Sequence, residues 1–373
     1  MVNNNGFPEY LLDTTIEERI KYFESKTIAH PLLKKSFDQL IQTIYNPGET
    51  SVILVYGPTG VGKSTLCLRI RRRIMEDALP SLDEDRGRIP VFYQEAIAPD
   101  SGNFDWIDFY ERTLEDINEP LIEYKVDLDF HAKNKPKERT KRALRKSVEQ
   151  ALIHRRPAAF LIDEAQHLTK LVSGRILLNQ LDTIKSLSSK SKVPHVLIGT
   201  YETLKFRNLS GQLSRRGSDI HFERYRIEKE EHKDAFISIL WSFQKHIPLR
   251  KEPNLVDYWD FFYERSIGCV GILKNWLNRV LRVKLQAGNE KLDIDDFRAF
   301  AHTLDECIKM AKEARDGELQ LEESHEKQLE LQTLLGIGRE TQLETDSKKS
   351  KKKNNKVGER NPKRDKVGEA MNS

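Results

Sequence analysis

Residues Gly57-Pro58-Thr59-Gly60-Val61-Gly62-Lys63-Ser64, followed by Thr65, carry the pattern GxxxxGK[ST]. Successive backbone N–H groups in such a loop, with a helix N-terminus behind them, present positive partial charge to a polyphosphate. Lys63 adds a full charge at the β- and γ-phosphates, and the Ser64 hydroxyl is a candidate Mg²⁺ ligand. The bland alternative is a chance glycine-rich turn. Against it stand the apolar strand SVILVY immediately before the loop and the helical pattern immediately after it, the context this chemistry requires.

A second apolar run, Ala158–Ile162, ends in Asp163 and Glu164. At the C-terminal edge of a parallel sheet, Asp163 would stand beside the metal, and Glu164 would polarise the water that attacks the γ-phosphate. An acidic pair in this position could also be a helix cap alone. Asp163-Glu-Ala-Gln166 is shared with helicase motif II, but a helicase needs a second nucleotide-fold domain, and the chain beyond Gly199 is too short for one. Thr200, at the end of the run Val193–Gly199, could sense the γ-phosphate or cap the next turn. Arg215 and Arg216 precede a short run at Phe222–Ile227; they suit an arginine finger reaching a neighbouring subunit's nucleotide, or a solvated basic turn. Lys274, in Gly268-Cys-Val-Gly-Ile-Leu-Lys274, could touch the nucleotide from the start of a later helix.

These residues need elements to hold them. Short apolar β-branched runs at Val52–Tyr56, Ile89–Tyr93, Ala158–Ile162 and Val193–Gly199 alternate with helical periodicity at Leu66–Met75, Trp106–Ile117, Thr140–His154 and Leu177–Leu187. A further short run lies at Tyr225–Ile227. Apolar strands with helices between them predict an α/β parallel sheet covered on both faces, a P-loop NTPase. The predicted organisation is an N-terminal helical segment (1–48), the nucleotide-binding α/β domain (49–228) and a small helical lid (229–310). A helical, amphipathic extension (311–340), interrupted at Gly317, and a disordered basic tail (341–373) follow. Helices are expected around Ile16–Phe23 and Leu32–Ile44, then at Asp234–Phe243, Val256–Arg265, Ile272–Leu285 and Asp295–Met310.

Composition narrows the class. The 373 residues are 32% charged with a net charge of +4, and the three cysteines Cys67, Cys269 and Cys307 form no pair in sequence. That excludes a disulfide scaffold and suits a reducing, cytoplasmic setting. No apolar run reaches membrane-spanning length, and MVNNNGFPEY lacks a signal-peptide pattern. The tail carries ten Lys and Arg against five acids, so the rest of the chain is nearly neutral. Between Phe130 and Lys146 a second basic cluster places Lys133, Lys135, Lys137 and Arg139 on a proline-containing loop that could follow a phosphate backbone.

The order of these elements resembles the AAA+ ATPases, and among them the transposition regulators of the TnsC/TniB family, including TnsC of CRISPR-associated transposons. The resemblance spans about Glu17 to Lys309. It rests on GPTGVGKST at 57–65, FLIDEAQHL at 160–168, VLIGTYETL at 196–204, QLSRRGSDIHF at 212–222, GCVGILK at 268–274 and the segment around Ile28-Ala-His-Pro31. It implies an ATPase using ATP and Mg²⁺ that oligomerises on duplex DNA as a ring or filament. It also implies recruitment of transposase subunits with a target selector, a CRISPR effector complex among the candidates. The sequence departs from the family at Ile272, near where an arginine often stands. Two other classes remain open: a replication-loader AAA+ protein, and a P-loop small-molecule kinase.

Overall fold

Val52–Tyr56 forms strand β1, and all five side chains are buried, because the strand lies inside the sheet with neighbours on both edges. It pairs in parallel with β4 (His195–Gly199) on one side and β5 (Gly217–His221) on the other. β2 (Val91–Glu95) and β3 (Ala159–Asp163) extend the sheet, giving the order β2-β3-β4-β1-β5 with every pairing parallel. Parallel strands demand long crossovers, which the helices between them supply. The register aligns Tyr56 with Gly199 and His221, and Glu95 with Asp163, so the sequence-predicted acids and the P-loop leave the sheet at one edge. In this computed structural model the described residues are 6–49, 51–99, 104–120, 122, 140–169, 174–209 and 217–337.

Helices α1 (Ile16–Ser25) and α2 (Pro31–Tyr45) precede the sheet, with Thr15 and Glu18 forming a capping box on α1. The sheet is interleaved with α3 (Lys63–Leu82), α4 (Trp106–Asp116), α5 (Lys141–Arg155), α6 (Gly174–Ser191) and α7 (Leu204–Leu209). Beyond it come α8 (Glu230–His246), α9 (Trp259–Ser266), α10 (Val270–Gln286), α11 (Ile294–Ala299) and α12 (Leu304–Leu321). One apolar cluster runs from Val55, Leu161 and Val196 in the sheet through Phe23 and Leu40 to Phe243, Trp276 and Phe297. Met1–Gln320 cluster as one compact unit. The second unit, from Leu321, contains α13 (His325–Leu335), capped by Ser324, with Leu331, Leu334 and Leu335 exposed. No described helix is long and apolar enough to cross a membrane.

Three expectations are corrected. The fifth strand is Gly217–His221, not Phe222–Ile227. After Phe222 N–H donates to the Tyr56 carbonyl at 2.8 Å, the chain leaves the sheet, and Tyr225 N–H donates to Gly268 O at 3.0 Å. Asp295–Met310 is two helices, because Thr303 and Glu306 exchange side-chain to backbone hydrogen bonds and start α12 afresh. Gly317 does not interrupt α12. Its missing side chain admits the Tyr201 ring, whose Cγ would lie 2.1 Å from an added Cβ.

Candidate nucleotide-binding site

The P-loop leaves β1 at Tyr56 and turns into α3 at Lys63. Gly62, just ahead of the helix, has φ +116°, a conformation closed to ordinary L-residues. The first turn of α3 has free N–H groups and no acidic side chain competing for them. Lys63 is buried, and its ammonium donates to the carbonyls of Gly57 at 3.0 Å and Pro58 at 2.8 Å. Burial lowers its pKa, partly offset by the charges of Glu164, Cys269 and Asp163. A cation held among carbonyls beside a row of N–H groups favours an anion that can displace those contacts.

Asp163 ends β3 almost fully buried, and one carboxylate oxygen accepts the Glu164 N–H at 2.9 Å. Burial pushes its carboxyl pKa up; the Glu164 N–H and Lys63 work against this, and the charges of Glu164 and Glu95 add to it. A carboxylate raised in this way gains from a divalent cation, and Asp163 and the Ser64 hydroxyl are of the residue types that would hold Mg²⁺. Glu164 sits in the left-handed region at φ 51°, which costs a non-glycine residue about 1 kcal/mol or more. The turn this creates points its side chain toward the P-loop cavity, of which it forms part of the wall.

Gln166 was not singled out in the sequence, although it stands in the Asp163-Glu-Ala-Gln166 string. Its side-chain amide donates to Glu164, and its carbonyl accepts the Thr200 N–H at 3.1 Å. It therefore ties the carboxylate at the end of β3 to the end of β4. Thr200 caps the next turn, its hydroxyl accepting the Glu202 N–H at 3.4 Å, and it also lines the cavity.

The cavity is about 570 Å³ and brings together Thr59, Gly60, Val61, Gly62, Lys63, Ser64, Thr65, Glu164, Thr200 and Lys274. Lys274 belongs to its wall, but its ammonium is already engaged. It donates to the Phe23 carbonyl and lies over the Phe23 ring at 3.5 Å, and burial pushes its pKa down to about 7. α10 is rooted on the P-loop itself. Ile272 N–H donates to Gly60 O at 3.1 Å, and a Cβ on Gly271 would lie 2.5 Å from that oxygen. A second cavity of about 440 Å³ shares Thr59, Gln166 and Thr200 with the first and is walled further by Tyr201 and the α12 residues Glu313, Asp316 and Gly317.

Arg215 and Arg216, and Lys133, Lys135, Lys137 and Arg139, lie outside the described residues, as does the tail 341–373. Trp106 is buried in the core, with Lys141 5.9 Å above its ring.

Residues 47–206 match the AAA domain family. Together with the parallel five-stranded sheet and the helices that follow it, this makes the fold that of an AAA+ P-loop NTPase. No curated protein matches the chain. Among solved structures, the Aeropyrum pernix ORC1 protein in complex with DNA shares the fold at a TM-score of 0.50 and 16% identity, over 78% of this chain and 68% of that one. The Aeropyrum pernix ORC2 protein aligns at 0.49 and 14%, over 85% and 79%. Domain III of the Thermotoga maritima replication initiation protein DnaA aligns at 0.41 and 18%, over 78% and 95%.

Proposed function

We propose that the protein is an ATPase that binds ATP with Mg²⁺, assembles on duplex DNA and recruits a transposase to a selected target. The observation that carries the ATPase reading is the cavity that brings Lys63 and Ser64 together with Glu164, with Asp163 accepting the Glu164 N–H and facing the Lys63 charge, and Gln166 joining Glu164 to Thr200. When bound, Mg²⁺ would supply charge neutralisation between the β- and γ-phosphates. Lys63 and the loop N–H groups would bind the phosphates, Ser64 and Asp163 would hold the metal, and Glu164 would take the proton of the attacking water. Gln166 orients Glu164. Arg215 or Arg216 would reach the γ-phosphate of a neighbouring subunit, making the active unit a homo-oligomer.

The transposition role is supported by the likeness of FLIDEAQHL, VLIGTYETL and QLSRRGSDIHF to TnsC/TniB regulators. The basic loop at Lys133, Lys135, Lys137 and Arg139 suits contact with phosphates without base reading. A replication-loader role is the second reading, favoured by the fold shared with an ORC1 protein solved in complex with DNA.

The test is ATP turnover with and without duplex DNA for the wild type, Lys63→Ala and Glu164→Gln. Lys63→Ala should lose nucleotide binding. Glu164→Gln should keep it and hydrolyse about 10² slower. Normal turnover by Glu164→Gln would remove Glu164 from the mechanism, and turnover indifferent to DNA would favour a small-molecule kinase. DNA-stimulated turnover without support of strand transfer by a transposase would favour the loader.

A further inference from the structure

Gln166 and Thr200 form a partition with open space on both sides. Together with Thr59 they line the nucleotide cavity, where Lys63, Ser64 and Glu164 stand. They also line the second cavity, where the α12 residues Glu313, Asp316 and Gly317 stand. Protein interiors normally fix a side chain by close packing all round. A partition between two cavities must be fixed from its ends instead. One end is Glu164, which accepts from the Gln166 amide. At the other end the Thr200 N–H donates to the Gln166 side-chain oxygen at 3.1 Å, and the next residue along the chain is Tyr201.

Tyr201 is gripped twice. Its hydroxyl pairs with Nε2 of His221, the last residue of β5, at 2.8 Å. Its ring lies against the backbone of α12 at Gly317, where an added Cβ would stand 2.1 Å from the ring Cγ and 2.7 Å from the Tyr201 Cβ. Only glycine lets helix and ring meet this closely. α12 is held in that place by the buried Ala314 and by Glu318, paired with Arg224 at 2.9 Å. From Met310 onward α12 lies beyond the stretch that carries the family likeness, so this grip is no part of the pattern that marks the site in the sequence.

We propose that α12, through Gly317 and Tyr201, positions Gln166 and Glu164 and thereby sets the rate of ATP hydrolysis. The inference rests on the ATPase reading. Tyr201 and Gly317 are positioning residues, acting through Thr200 and Gln166. The Thr200 carbonyl and the Tyr201 N–H belong to one peptide plane. The Thr203 N–H and hydroxyl both donate to that carbonyl, at 3.0 and 2.7 Å, so the turn moves as one piece. A displaced ring therefore displaces Thr200, and with it the donor that aims Gln166 at Glu164. General-base catalysis depends on the carboxylate lying within hydrogen-bond reach of the water. The phosphate cradle is built on β1 and α3 instead. Turnover should therefore change while nucleotide affinity does not.

The test measures kcat for ATP and the Kd of a non-hydrolysable ATP analogue, with Mg²⁺, on the full-length protein and its variants. Gly317→Ala should lower kcat at least about tenfold, since a displacement on the order of 1 Å can cost that much or more, while Kd changes by less than about threefold. Tyr201→Leu removes the ring that α12 grips and should also lower kcat at nearly constant Kd. In the Tyr201→Leu background the added methyl has room, so Gly317→Ala should cost less than about twofold further. A Gly317→Ala protein with normal kcat, or one whose loss is the same in both backgrounds, overturns the proposal. If Gly317→Ala does not fold or bind the analogue, Tyr201→Leu decides beside Tyr201→Phe, which keeps the ring and should retain at least about a third of kcat. Normal turnover by Tyr201→Leu, or equal loss in Tyr201→Phe, overturns it. A wild type that binds the analogue but does not hydrolyse ATP is a different result: it removes the ATPase reading itself, and this inference with it.

Discussion

The ion pair between Arg224 and Glu318 should be the main polar tie holding α12 beside the P-loop. The guanidinium donates to both carboxylate oxygens, at 2.9 and 3.1 Å, and to the Ile267 carbonyl at 3.3 Å. The two side chains are only 12% and 9% exposed. Burial alone would lower the pKa of Arg224, yet hydrogen bonding to Glu318 and its charge raise it overall. Glu318→Leu removes the charge and both acceptors while leaving the guanidinium buried. Removing one partner from such a pair costs about 3–5 kcal/mol. At ~2–4 °C per kcal/mol for a large domain, even the lower figure lowers Tm by about 6–12 °C. Differential scanning calorimetry on Glu318→Leu, Arg224→Met and the double variant tests this. The double variant should recover most of the loss, since two apolar side chains leave no stranded charge. Breaking the exposed pair Arg250–Asp13, 62% and 81% exposed, should shift Tm by less than about 2 °C. A Glu318→Leu protein melting within about 2 °C of wild type, or a double variant no more stable than either single one, would refute the reasoning.

Gly271→Ala should weaken nucleotide binding, because its methyl would press on the Gly60 carbonyl oxygen at 2.5 Å; Gly288→Ala, with nothing within 4 Å, should leave binding unchanged although φ is +76° there. ATP titration of both variants checks this. Lys274 is deprotonated more easily in the folded chain than in the unfolded one, so its burial penalty is full below about pH 7 and fades as pH rises toward the ordinary lysine value. The wild type should therefore gain stability relative to Lys274→Met between about pH 7 and 10 in denaturant titrations, and a flat difference would argue against it. Neutralising Lys135 and Lys137 should reduce DNA binding and its salt slope, by roughly 0.9 per lost phosphate contact, with ATP binding unchanged. Deletion of 341–373 is the comparison, and loss of binding only on that deletion would make the tail the DNA arm. Arg215→Ala or Arg216→Ala should slow hydrolysis and regain part of it when mixed with Lys63→Ala. No recovery at any ratio would argue against a shared site.

The parts of the site that follow from local chemistry were legible in the sequence. β1 is apolar at every position because it lies inside the sheet, and the expected span, Val52–Tyr56, is the observed one. β5 sits at the edge, where Gly-Ser-Asp-Ile-His carries one apolar residue, Ile220, to mark it. The apolar residues just beyond it, Phe222 and Tyr225, drew the strand expectation away, although they pack into the core shared with the helical region. The start of α12 did carry a local signal, Thr303-x-x-Glu306, hidden inside a longer helical pattern.

Gly317 and Lys274 show a different limit. A glycine in a Glu-rich stretch reads as a break by propensity, since it weakens a helix by about 1 kcal/mol. Its reason for being there is the Tyr201 ring, more than a hundred residues away. Lys274 reads as a possible nucleotide contact because it is a cation soon after a glycine-marked helix start, and it does line the cavity. Phe23, supplied by α1, takes its ammonium through a carbonyl and a ring face. Both cases turn on contacts between segments that no spacing rule joins. The P-loop is readable because its chemistry is backbone N–H groups and one lysine in consecutive residues. The far wall of the cavity is assembled from residues 24–33 and 270–278, and it exists only once those two stretches have packed together.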